Sequence, residues 1–226
     1  MLEYIPVAIL IVFISTVILT LLFIYKASHK NRTVLLISLI WLMVQGIIAY
    51  SGFYTRTNQF PPRFFLAVFP AFLLIVVLFI SRQGRIFIDR FDARTLIILH
   101  LVRIPVELVL FSLYINKALP IRMTFRGWNF DILSGLTAPI IYYFGYVNKK
   151  IGRGIILWWN IICLGLLLNI VVNAVLSAPF SFQLFAFDQP NIAVLYFPFV
   201  WLPSFIVPVV LLSHLVMIRR SSQRLS

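Results

Sequence analysis

Arg94-Thr-Leu-Ile-Ile-Leu-His100-Leu-Val-Arg103-Ile-Pro105-Val-Glu107-Leu-Val-Leu-Phe-Ser-Leu-Tyr-Ile115 is the stretch that decides how this chain folds. It is apolar and long enough to cross a hydrocarbon core of about 30 Å as a helix. Three ionisable side chains nevertheless stand inside it. On a helix of 3.6 residues per turn, His100, Arg103 and Glu107 fall within about 60° of one face. Charge at that depth is costly against lipid, so this face is expected to look inward and to carry functional residues. Arg103 and Glu107 are i,i+4 neighbours and are expected to pair. A pair of this kind can also do no more than lock helix register, and the two roles compete for these residues. Pro105 removes a backbone donor between them and frees the carbonyl of Leu101, which predicts a local irregularity.

The rest of the chain repeats the apolar pattern without the charges. Of 226 residues, 62% are hydrophobic and 11% charged, outside the range of soluble domains. Seven apolar runs reach spanning length, at about 4–26, 34–54, 64–81, 94–115, 128–147, 155–178 and 192–218. The fold class is therefore all-α, a polytopic seven-transmembrane-helix bundle in a single transmembrane domain over 1–226. Short connections leave little room for a soluble domain.

A net charge of +13 invites a nucleic-acid reading, which the placement of the charges opposes. Lys26, Lys30 and Arg32 follow the first run, and Arg82, Arg85, Arg90 and Arg94 follow the third. Lys149, Lys150 and Arg153 follow the fifth, and Arg219, Arg220 and Arg224 close the chain. Arg56, Arg63, Lys117, Arg122 and Arg126 fall on the opposite side, and Arg103 alone lies within a span. This is the positive-inside pattern, with the N-terminus outside and the C-terminus cytoplasmic. Partners are then the lipid bilayer, including anionic lipid, and a small-molecule or lipid ligand, but no nucleic acid. Met1-Leu2-Glu3 has no basic region before its long apolar run, so the first span reads as a retained anchor. Tyr25, Tyr50, Tyr54, Trp128 and Tyr146 sit near span ends, where amphipathic rings favour the interface.

An internal duplication is legible. Phe23-Ile-Tyr25 with Arg32-Thr-Val34-Leu-Leu36 recurs as Phe144-Gly-Tyr146 with Arg153-Gly-Ile155-Ile-Leu157, at a constant offset of 121. Pro70-Ala-Phe72-Leu-Leu-Ile-Val76-Val-Leu78 recurs as Pro203-Ser-Phe205-Ile-Val-Pro-Val209-Val-Leu211 at an offset of 133. The difference fits a longer loop around Ser177–Asn191. These matches imply a 3+1+3 parallel repeat, 1–81 and 128–218 joined by helix 94–115, although apolar segments also match one another by chance. Pro70, Pro139, Pro198, Pro203 and Pro208 predict bent helices, and the last three should kink and locally unwind the seventh span.

Further polar residues cluster toward the outer half. Met123-Thr-Phe125-Arg126-Gly127-Trp128-Asn129-Phe130-Asp131 precedes the fifth span. Asn129 is a suitable helix N-cap, and Asp131 complements the dipole of the first turn. Asp131 is also within range of recruitment by Arg122, Arg126 or Arg103. Asn169, Asn173 and Ser177 form a stripe on the sixth span, and Gln45 lies in the second. Each alone is explained as interhelical glue. Taken together, Glu107, Arg103, His100, Asp131, Asn129, Asn173, Asn169 and Gln45 outline an outward-opening polar cavity. Glu107 would be its central carboxylate and Arg103 the partner or anion anchor.

Several chemistries find no support. Cys163 is the only cysteine, so neither an intrachain disulfide nor a cysteine metal cage is available. His100 and His214 fall at similar depth, as a bis-imidazole haem requires, but no other feature points to haem. No HxxxH or HExxH spacing suggests zinc. Every lysine lies in a loop or at a span end, which excludes a retinal Schiff base. A Walker loop, a dinucleotide fingerprint, a GxSxG elbow and voltage-sensor arginine spacing are all missing. No cofactor or metal is expected.

The segment from His100 through Met123-Thr-Phe125 and Asn129-Phe-Asp131 to Gly135-Leu-Thr-Ala-Pro139 resembles uncharacterised bacterial seven-helix membrane proteins. That resemblance covers most of the chain and implies a bacterial cytoplasmic membrane, with no activity attached. The topology is similar to that of small 3+1+3 sugar transporters, but the Pro-Gln signature is missing and here the linker helix carries the charges. The expected function is transport or binding of a small polar or amphipathic molecule. The alternatives are a membrane-embedded enzyme acting on lipid or isoprenoid substrates, with Glu107 or Asp131 as acid–base groups, and a structural or assembly protein.

Overall fold

Apolar runs punctuated by caps and prolines give a chain whose regular elements, among the described residues, are all helical. The structure is a computed structural model and describes residues 5–223; the readings that rest on Met1–Glu3 and Arg224 lie outside them. The helices are α1 (Val7–Ala27), α2 (Arg32–Tyr50), α3 (Phe65–Ile80), α4 (Arg82–Asp89), α5 (Ala93–Ile115), α6 (Ile132–Val147), α7 (Arg153–Leu176) and α8 (Leu202–Ser222).

Five of these, α1, α2, α5, α7 and α8, are long and apolar enough to cross a membrane. The remaining two of the seven expected spans are shorter. α6 has 16 residues, about 24 Å of helix, less than a bilayer core. α3 also has 16 residues and is followed by a 94° bend into α4. Ser81 makes that bend: its backbone is extended, and its hydroxyl accepts the N–H of Gly84 at 3.1 Å to start the next helix.

Two starts differ from the sequence reading. The fifth apolar segment becomes helical at Ile132 rather than at 128, because Asn129 spends its side-chain oxygen on a turn with the Asp131 N–H. The seventh begins at Leu202 rather than at 192. Residues 193–195 form a short 3-10 turn, and Pro198 and Pro203 lack the N–H groups that an earlier helix would need. The expected irregularities are present: α5 tightens into a 3-10 turn at His100–Val102, beside the Leu101 carbonyl that Pro105 cannot satisfy, and α8 opens with a π turn over Leu202–Ile206.

Burial ranks the helices. α5 is 61% and α8 56% buried, against 33% for α1, 28% for α7 and 22% for α2. The charged helix is therefore the centre of the bundle. The outer faces of α1, α2, α3 and α7 expose Ile11, Leu22, Leu36, Ile47, Leu73, Val77, Ile162 and Val172, an apolar belt compatible with lipid.

The basic loops gather at one end. The Asp92 N–H donates to the Ala27 carbonyl at 2.8 Å, and His29 Nε2 donates to the Arg90 carbonyl at 2.8 Å. Arg219 pairs with Asp89 at 3.0 Å, and Arg220 donates to the Phe91 carbonyl. At the opposite end, Gln189 Nε2 donates to the Tyr114 and Leu119 carbonyls at 2.9 and 2.7 Å, tying the 177–201 segment to the end of α5.

Asp92 caps α5, accepting the Thr95 N–H at 2.9 Å and the Thr95 hydroxyl at 2.5 Å. Partial burial pushes its carboxyl up, but these bonds, the Arg94 N–H and nearby His29 outweigh it and hold it below the usual range. An aspartate lowered on folding stabilises above its unfolded pKa, and that stability is lost as pH falls through the folded value. Asp92→Ala is expected to lower stability by about 1 kcal/mol at neutral pH. The difference from wild type should shrink on acidification, read from thermal midpoints across a pH series.

Candidate functional site

Arg103, Glu107 and His100 look into the bundle from α5, and α6, α7 and α8 supply their partners. Arg103 Nη1 donates to Asp131 Oδ1 at 2.7 Å, and Nη2 donates to His214 Nε2 at 2.9 Å. His214 Nδ1 in turn lies 3.0 Å from Asn160 Oδ1, whose amide is oriented by donation to the Ile156 carbonyl at 2.8 Å. These bonds place the His214 hydrogen on Nδ1 and leave Nε2 to accept from the guanidinium. Arg103, Asp131, Asn160 and His214 are all buried.

Glu107 does not pair with Arg103 in the way the i,i+4 spacing predicts. Its Oε1 accepts from Asn129 Nδ2, while the guanidinium turns to Asp131 and His214. The reason is the approach of α6, whose N-cap residue Asp131 sets a carboxylate opposite α5. Asn129 links the two acids: its amide also donates to the Met123 carbonyl at 3.1 Å, and its oxygen accepts the Asp131 N–H at 3.0 Å. Asn129 therefore does not cap α6 as expected: the N-cap position falls to Asp131, without a side-chain cap, and Asn129 braces the turn before it while holding Glu107. Glu107 is only 1% exposed, and among the described residues no donor reaches its Oε2.

Gly135 permits that approach. A Cβ there would lie 2.9 Å from Ile104 Cγ1 and 3.2 Å from the His100 carbonyl. Gly135→Val is expected to cost about 1–3 kcal/mol by overpacking and to part Asp131 from Arg103. Thermal unfolding of the purified variant checks this, with a smaller loss for Gly135→Ala.

A cavity of about 100 Å³ adjoins the charges. Arg103, Glu107 and Asp131 stand at it, and the rest of its wall is almost wholly apolar, including Phe72 of α3, Val171 and Val175 of α7, and Val207 of α8. α3 and α7 both contribute to its lining, Val68 and Phe72 from the one and Leu167, Val171 and Ala174 among others from the other. The polar cavity expected from the sequence is thus an apolar one with a charged inner end. Asn169, Asn173 and Gln45 do not line it. Asn169 Nδ2 donates to the Trp128 carbonyl at 2.7 Å, and Asn173 Nδ2 to the Asn169 carbonyl at 2.9 Å. The oxygen of Gln45 accepts the Tyr54 hydroxyl at 2.6 Å. Arg122 and Arg126, the other suggested partners of Asp131, lie over the Phe185 and Phe111 rings at 4.4 and 5.8 Å.

Residues 61–221 match the family described as Domain of unknown function (DUF8737). The chain belongs to this family. No curated protein and no solved structure matches it. The whole lining of the cavity falls inside the segment that defines the DUF8737 match, whereas α1, α2 and Gln45 precede it.

His100 sits just beyond the cavity in the DUF8737 bundle. Its ring stacks on His214 with centroids 4.0 Å apart and planes 19° from parallel. Stacked rings project their nitrogens sideways, which is not the arrangement of two axial ligands on one haem. The Ser213 hydroxyl donates to the Leu96 carbonyl at 2.9 Å, so His100 Nε2, 3.3 Å away, donates to Ser213 Oγ. Among the described residues no group of three or more His, Cys, Asp or Glu side chains is placed to hold a metal ion.

Two DUF8737 site residues escaped the sequence reading. Asn160 is fully buried in α7, and Asn191 is buried at the cavity wall with its Nδ2 on the Ala174 carbonyl at 3.2 Å. Asn160 had a usable signal, an amide in the half of an apolar span that Asn169 and Asn173 do not reach. Asn191 had none, since it sits in an irregular segment.

Proposed function

We propose that this membrane protein binds an amphipathic molecule that enters sideways from the bilayer between α3 and α7. The observation that carries the reading is Glu107 Oε2, a buried carboxylate oxygen without a protein donor at the inner end of an apolar cavity. A head with a hydrogen-bond donor, a hydroxyl or an ammonium, satisfies that oxygen while its hydrocarbon chain lies against Phe72, Val171 and Val175. Arg103 neutralises Asp131, so a cationic head on Glu107 would also balance the second carboxylate, while a hydroxyl head would satisfy its oxygen by a hydrogen bond. Binding is favoured over catalysis by a hydroxyl, thiol or imidazole nucleophile because serine, threonine, cysteine and histidine are missing from the cavity lining among the described residues.

In this reading all seven apolar helices cross the membrane, α4 lies along its surface, and the basic end of the bundle faces the cytoplasm of a bacterial cell. α1–α3 and α6–α8 are then the two triplets of the repeat, and α5 is the linker that carries the charges. Transport follows if the bound head passes from Glu107 to the opposite side.

A long-chain alcohol with a photoactivatable diazirine in its chain tests the route in vesicles holding the full protein. Labelling is expected to concentrate on α3 and α7 around Phe72 and Val171, and to fall there in Glu107→Gln. Labelling no stronger than on the outer faces of α1 and α2 would overturn the lateral route.

A further inference from the structure

At the end of the bundle opposite the Glu107 cavity, a second cleft lies between the start of α5, the turn from α6 to α7, and the end of α8. Its volume is about 350 Å³, and its wall is much more polar than that of the first. Arg94, Lys149, Arg153 and Arg220 line it, from three separate parts of the chain, over an apolar floor of Ile156 and Met217. Four cations converge there, and among the described residues none of them is in a salt bridge. The nearest acids are used elsewhere: Asp89 on Arg219, and Asp92 as the cap of α5. Arg220 is held in place by donation to the Phe91 carbonyl.

The helix that starts at this cleft adds to the field. α7 begins at Arg153 after Gly152, both on the cleft wall, with neither a side-chain cap nor an acid in its first turn. Its free first-turn N–H groups and the positive end of a 24-residue helix are thus directed at the same space as the four cations. Lys149 reaches the cleft from a left-handed backbone, φ 52°, a conformation that costs a non-glycine residue energy. An anion with several acceptor oxygens would bridge these groups and relieve the repulsion among them.

We infer that this cleft is a binding site for a phosphate group, supplied either by an anionic lipid headgroup or by a soluble phosphate compound. It is a site separate from the Glu107 cavity and does not depend on that reading. Basic clefts between helices at the positively charged end of a membrane protein suit phosphate chemistry, because arginine offers paired donors to phosphate oxygens. The apolar floor leaves room for the carbon adjoining the phosphate.

The test titrates two probes into the full-length protein in neutral detergent, short-chain phosphatidylglycerol and inorganic pyrophosphate, with binding read by calorimetry. Wild type is compared with Arg94→Gln/Arg153→Gln and with Lys30→Gln/Arg82→Gln, which removes the same charge from the same end but outside the cleft. Saturable binding of one probe per chain is expected, weakened about tenfold or more in the cleft variant and within about twofold of wild type in the control. Binding of phosphatidylglycerol alone identifies a lipid headgroup, whereas binding of pyrophosphate identifies a soluble phosphate. Absence of saturation with either probe, or equal weakening by both double variants, overturns the site. Lys149→Gln, in a turn outside the helices, provides the same comparison if the double variant does not fold.

Discussion

Arg103→Leu is expected to destabilise the detergent-purified protein by about 3–5 kcal/mol, the largest loss of any single substitution in the bundle centre. Arg103 is 2% exposed, and its guanidinium serves three buried acceptors, Asp131 at 2.7 Å, His214 at 2.9 Å and the Cys163 carbonyl at 3.5 Å. Removing it leaves a buried carboxylate with no counter-charge and strands His214 Nε2. Arg103→Leu/Asp131→Asn should recover most of the loss, because the uncompensated charge is then gone. A residue of about 1–3 kcal/mol is expected to persist from the unsatisfied imidazole. Thermal midpoints of the two variants beside wild type decide the matter. If neutralising Glu107 rescued Arg103→Leu as well as neutralising Asp131 does, the assignment of the ion pair would be wrong.

Glu107→Gln is expected to behave in the opposite way, with folding retained and ligand binding lost. The substituted side chain keeps its shape and an oxygen for the Asn129 amide, so the local structure survives. Its second terminal atom becomes an amide nitrogen, which faces a donor head with another donor. Hydrogen bonds to charged groups are worth about 1.5–3 kcal/mol, so affinity should fall about tenfold to a hundredfold. Competition between the diazirine alcohol and unlabelled alcohol in vesicles measures this. A variant that bound as tightly as wild type would remove Glu107 from the ligand site.

The helical class and the inward-looking charges were legible because hydropathy and the cost of buried charge operate within a single helix. His100, Arg103 and Glu107 share a face by spacing alone. Their partners were legible only in part, since pairing depends on how helices approach one another. Spacing favoured Arg103 with Glu107, whereas the close contact at Gly135 delivers Asp131 to Arg103. Asn169 and Asn173 read as a polar stripe on α7, but each can satisfy itself on a nearby carbonyl, which periodicity does not reveal. The helix starts at Ile132 and Leu202 were also misplaced, because hydropathy continues through the turns that precede them while backbone hydrogen bonding does not. The 94° bend at Ser81 falls where the third apolar run was expected to end, but the short helix α4 that this serine caps was not legible in hydropathy, because its first residues are polar.

The most direct test of the Glu107 cavity is native mass spectrometry of the detergent-purified protein beside Glu107→Gln. A discrete bound mass is predicted on the wild type and not on the variant, with both proteins folded and equally monodisperse. The same mass on both, or bare protein in both preparations, would contradict a ligand site at Glu107.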